Sequence, residues 1–182
     1  TIEVEGEASV TPPDIYTLRN FEDIKKYCKK NNKTLAEFVY EIEDSNFREF
    51  LKDVWNTMRN CVLDGLKEEG NIPGKLDIPR KAKKIYENDK EDSDPTFKRT
   101  RILTSYAYAV SENNASGGVI VTAPTCGASG VLPAVLNYIY DVYGESEDKI
   151  IDSLAVAGLI GNIVKTNASI SGAECGCQAE VG

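Results

Sequence analysis

The sequence predicts an all-α fold, a compact multi-helix domain carrying Gly-rich active-site loops. Three observations lead there. Residues 45–69 hold a long apolar stripe at helical spacing: Phe47, Phe50, Leu51, Val54, Met58, Cys61, Val62, Gly65 and Leu66. Helix start and stop residues recur along the chain. A single short run, 119–123, reads as extended, and helices with so little strand signal point to helices packed on helices.

Each element follows from local chemistry. Residues 1–19 have few apolar side chains, a Pro12-Pro13 pair and no periodicity, and read as a flexible lead or linker. Asn20 caps a short helix, and Thr34 with Glu37 forms a capping box for the next. The 45–69 helix is expected to stop at Gly70. A loop around Pro73-Gly74 follows, then a basic helical stretch, Arg80-Lys81-Ala82-Lys83-Lys84. Residues 87–95 are polar and expected to be exposed, and a helix is expected over 96–111. Residues 128–143 are apolar at helical period, with Pro133 near the first turn and Gly144 as the stop. Ser146 caps a last long helix running to about Lys165. Residues 20–182 read as one domain without internal repeats.

Composition narrows the function. At 182 residues and 41% hydrophobic content the chain can build one real core. No apolar run approaches the ~20 residues of a membrane span. The start is acidic and turn-rich, without the apolar region of a signal peptide, and Thr1 is no initiator. A net charge of −8 argues against a general nucleic-acid binder. Five cysteines at irregular spacing read as reduced thiols of a cytoplasmic enzyme rather than a secreted disulfide framework. Histidine is absent, so acid–base chemistry near neutral pH must use a shifted Lys, Glu, Asp, Tyr or Cys, or a group from another chain.

Two loops carry the chemistry. The first is Thr122-Ala123-Pro124-Thr125-Cys126-Gly127-Ala128-Ser129-Gly130. Its small residues open a helix, so their amides suit a carboxylate or phosphate; the competing reading is tight helix packing. Thr125, Gly127, Ala128, Ser129 and Gly130 are the substrate-binding candidates. Asn113, Asn114 and Ser116 lie just upstream. The second loop runs Asn167-Ala168-Ser169-Ile170-Ser171-Gly172-Ala173-Glu174-Cys175-Gly176-Cys177-Gln178-Ala179-Glu180. It reads either as a metal-binding turn or as a turn with two inert thiols, and two thiols fall short of a whole iron–sulfur cluster. Cys28 and Cys61, on apolar helix positions, read as plain core residues.

Taken together these loops resemble the α chain, or α-type domain, of the iron–sulfur-dependent bacterial L-serine dehydratases. The likeness covers residues 21–182. It is strongest at Gly65-Leu66-Lys67-Glu68-Glu69-Gly70-Asn71-Ile72-Pro73-Gly74, at 119–136 and at 165–182. The resemblance implies a 4Fe–4S cluster, with Cys177 of the Gly-Cys-Gln-x-Glu motif as one ligand and two further ligands downstream of Gly182. Cys175 stands where the family often has Val or Gly and Cys126 where Asn is common, and neither takes a ligand role from the likeness. It also implies a β chain or β-type domain as partner, so the chain is expected to be a C-terminally incomplete part of an oligomeric enzyme, inactive alone and with residues 171–182 exposed.

The family reaction is β-elimination of water from L-serine, giving pyruvate and ammonia with iron as Lewis acid. Lys165 and Glu174 are candidates for the base that takes the α-proton, the partner domain being the other source. A relative that eliminates sulfide from cysteine and a non-catalytic helical interaction domain are the alternative readings. The segment Thr96-Phe97-Lys98-Arg99-Thr100-Arg101 also resembles the lysine-bearing segment of pyridoxal-phosphate dehydratases. The Gly-rich phosphate loop and alternating β/α units of those enzymes are absent.

Overall fold

Asn20 accepts the Asp23 amide through its side chain and starts α1 (Phe21–Asn31), as its residue type predicts. The computed structural model of the chain describes residues 15–90, 92–122, 125–168 and 176–178. Thr34 and Glu37 close a reciprocal capping box on α2 (Leu35–Ile42). Next come α3 (Phe47–Gly65), α4 (Ala82–Glu87), α5 (Pro95–Ala115), α6 (Val131–Tyr143) and α7 (Glu147–Asn167). Among the described residues there is no strand, only an isolated bridge between Asn71 and Pro79. The all-α reading therefore stands.

The central helix is α3, and two cores meet along it. The first joins α1, α2, the N-terminal half of α3 and α7 through Ile24, Phe38, Val39, Leu51, Trp55, Ile150, Ile151 and Leu154. The second joins the C-terminal half of α3 to α5 and α6 through Cys61, Val62, Ile102, Tyr106, Val110 and Tyr138. Facing two cores requires apolar residues on two sides, which is why Trp55, outside the single stripe, is buried. Phe50 departs from expectation the other way: it is 58% exposed, with its ring tilted at 32° to that of Phe47. Tyr16 and Leu18 already lie against the first core, and Tyr16 donates to Glu43 at 2.6 Å.

Several boundaries move for identifiable reasons. The third helix ends at Gly65 rather than Gly70, which instead takes a left-handed φ of 81° at the start of the 71–79 loop. That loop is closed by Ile72 N–H to Ile78 O and Arg80 N–H to Gly70 O. The basic helix starts at Ala82, not Arg80, because the buried Glu112 carboxylate accepts both the Lys81 and Ala82 amides. The fifth helix outruns its expected end at 111. It closes at Ser116, where Gly117 N–H meets Asn114 O and Gly118 N–H meets Asn113 O, the paired bonds of a glycine C-cap. Gly144 and Ser146 act as expected, ending α6 in a left-handed turn and capping α7.

Candidate active site

The C-terminal end of α5 supports the first loop. Asn113 donates to the Cys61 carbonyl at 2.8 Å and ties α5 to α3. Asn114 reaches the other way and donates to the Cys126 carbonyl at 3.2 Å. Residues 126–130 form a turn closed by Ser129 N–H to Cys126 O and Val131 N–H to Ala128 O. Gly130 makes the junction possible: a methyl group there would sit 2.8 Å from the Ala107 carbonyl oxygen and 2.9 Å from Ser111 Oγ. Close packing is thus one true reading of a loop glycine, and it presses the start of α6 onto α5.

At the loop's open side stands Cys177. The Thr125 hydroxyl donates to its Sγ at 3.0 Å. A methyl group on Gly127 would fall well inside van der Waals contact with the same sulfur. Two loops about fifty residues apart in sequence therefore meet at one atom. Cys177 is half-buried, Gly176 beside it is buried, and Cys126 is exposed. Burial pushes the Cys28 and Cys61 thiols above their ordinary range, which keeps them protonated and unreactive, as core residues.

A groove of about 360 Å³ opens beside the turn. Thr125, Ala128 and Ser129 form its rim, and Met58, Leu132 and Ile160 its wall. It shares Met58, Val121, Thr122, Leu132, Ala157 and Gly161 with a second groove of about 380 Å³ that reaches Lys165 at the end of α7. Lys165 is exposed there. Of the sequence candidates, Thr125 and Gly127 meet Cys177, Thr125, Ala128 and Ser129 line the groove, and Gly130 packs on α5. Lys165 lies along the connected groove and makes no described contact with them. Glu174 and Cys175 lie outside the described residues, as do most of the 171–182 positions expected to be exposed. The apolar wall from α7 was not legible as site-forming, since Ile160 and Val164 carry no chemistry of their own.

An iron–sulfur cluster usually takes three or four protein ligands. Among the described residues no three His, Cys, Asp or Glu side chains stand close enough to hold a metal ion. Cys177 fits a single corner of such a group: a half-buried thiol, partnered by a hydroxyl donor and with no side chain opposite at Gly127. Among the described residues no helix is long and apolar enough to cross a membrane.

A family model described as serine dehydratase alpha chain matches residues 17–182. The chain is 40% identical over 173 residues to an L-serine dehydratase of Streptomyces coelicolor, covering 92% of this chain and 38% of that protein. It is 42% identical over 176 residues to an L-serine dehydratase of Haemophilus influenzae, with 92% and 39% covered. To the L-serine dehydratase TdcG of Escherichia coli it is 44% identical over 182 residues, again covering 92% and 39%. The chain thus spans about two-fifths of the length of these relatives.

Proposed function

The chain belongs to the serine dehydratase alpha chain family, and on that premise we propose that it is the α-type part of a cytoplasmic L-serine ammonia-lyase. The single observation that supports this most is the meeting of Thr125, Gly127 and Cys177 within a chain that matches the family along 17–182. The whole enzyme would include a β chain or β-type domain and assemble as an oligomer.

The reaction removes the α-proton and the β-hydroxyl of L-serine. The Cα–H proton passes to a base, the Cβ–O bond breaks, and hydroxide leaves with a proton as water. The aminoacrylate that remains tautomerises to an imine, and water converts it to pyruvate and ammonia. Hydroxide is a poor leaving group, and a bound 4Fe–4S cluster would supply Lewis acidity toward that oxygen. Cys177 would hold one corner of it, the other ligands lying outside the described residues.

This chain's own residues do the rest. Of the 127–130 amides, Ser129 N–H closes the turn onto the Cys126 carbonyl, and the others, near the positive end of α6, would take the substrate carboxylate. The Thr125 hydroxyl donates a hydrogen bond to Cys177 and would hold that sulfur in place beside the substrate. Lys165 or Glu174 would take the α-proton. The apolar wall of Met58, Leu132 and Ile160 limits water beside the reacting carbons.

Anaerobic reconstitution of the full-length protein tests the proposal. The expected result is bound iron and sulfide, brown absorption, and pyruvate from serine faster than from threonine or cysteine. Faster sulfide release from cysteine would transfer the activity to a desulfidase. No iron and no turnover would leave a non-catalytic helical domain.

A further inference from the structure

Cys177 Sγ has two described neighbours from the other loop, and they act differently. The Thr125 hydroxyl donates to the sulfur at 3.0 Å. Gly127 contributes empty space, since any side chain there would collide with the sulfur. Thr125 directly precedes the 126–130 turn, which Asn114 anchors through the Cys126 carbonyl. A hydroxyl held this way restricts where the thiol can point. It also draws electron density from the sulfur whenever that sulfur is a thiolate.

We propose that Thr125 is a positioning residue for the Cys177 thiolate, fixing its direction and weakening its electron donation, and that Gly127 is required to leave the sulfur room. This rests on the iron–sulfur reading above and adds a tuning role to the substrate-binding role proposed for Thr125. Hydrogen bonds to cluster sulfurs favour the reduced, more negative state and so raise the reduction potential. Partners of metal ligands also hold the ligand in register, and their loss typically weakens metal affinity about 10–100-fold.

The test uses the full-length protein, reconstituted anaerobically, as wild type, Thr125→Val, Thr125→Ala and Thr125→Ser. Three quantities are read: iron release into a chelator, cluster reduction potential, and melting of the metal-free protein. Thr125→Val keeps the shape and deletes the donor; Thr125→Ala deletes the donor without bulk, which covers a folding failure of the first. Both should release iron about 10–100-fold faster and show a more negative potential, with metal-free melting near wild type. Thr125→Ser should restore both cluster properties. Iron release and potential at wild-type values in the valine and alanine variants would overturn the inference while leaving the lyase reading intact. A wild type that binds no iron would overturn both.

Discussion

Gly65 of α3 and Ala109 of α5 meet backbone to backbone: a methyl group on Gly65 would stand 2.5 Å from the Ala109 carbonyl oxygen. This crossing sets the spacing of the second core. It also brings Asn113, one turn further on, to the Cys61 carbonyl.

Gly65→Ala is therefore expected to destabilise the domain. Alanine would gain ~1 kcal/mol of helix propensity over glycine. The clash is with backbone, which cannot rotate away, and overpacking of this kind costs about 1–3 kcal/mol. A fall in the urea midpoint is expected; a rise would mean the two helices part without penalty.

Met58 is 5% exposed and borders both grooves. Met58→Ala should cost on the order of 2–5 kcal/mol, as for other large-to-small core changes. An unchanged midpoint would show that the α3 stripe does not carry the core.

The cysteines should sort by environment. In the full-length protein, Cys177→Ser is expected to lose iron, while Cys28→Ala and Cys61→Ala keep it. With a thiol reagent on the native chain, exposed Cys126 should react before Cys28 and Cys61, which are buried and held protonated. Normal iron content in Cys177→Ser would remove its proposed ligand role.

Glu112 is 3% exposed and spends one carboxylate oxygen on the amides that open α4. Glu112→Ala would strand both donors, at roughly 1–3 kcal/mol for a buried unsatisfied group. Glu112→Gln, which keeps an acceptor oxygen, should cost less. Hydrogen exchange at Lys81 and Ala82 would report the difference directly, and equal protection in both variants would contradict this role.

Alkaline stability should depend on Tyr40. Burial, then its bond to Asp152, pushes the Tyr40 hydroxyl from 10.0 up to about 12. The folded state thus keeps a proton that the unfolded state has lost between these values. The stabilisation is complete below pH 10.0 and is lost as pH rises toward about 12. Tyr16 and Tyr106, raised by burial and by carboxylate neighbours, act with the same sign. Tyr40→Phe should flatten part of this alkaline limb in a urea midpoint series; an unchanged slope would exclude the contribution.

Helix type and most helix starts were legible because they depend on neighbours in sequence. Asn20, Thr34 with Glu37, and Ser146 each bond an amide three residues on, so the cap and its partner appear together in the chain. The end of α5 was also written locally, in Gly117-Gly118, though the apolar pattern alone stopped short of it. The start of α4 was not, since Glu112, which accepts its first amides, lies about thirty residues away.

The sequence by itself determined that the chain is helical and that Cys28 and Cys61 belong to the core, and it singled out the two Gly- and Cys-bearing loops as candidates for the chemistry. Only the tertiary structure decided which of their atoms meet. Thr125 was legible as a small polar residue, but its bond to Cys177 depends on a distance in space. Gly127 was legible as permissive backbone, yet what it permits is a sulfur from the other loop. Local propensities act over one or two helical turns, whereas these contacts are set by how α5, α6 and α7 cross, and that is fixed by side-chain volume at buried positions such as Gly65, Gly130 and Leu159.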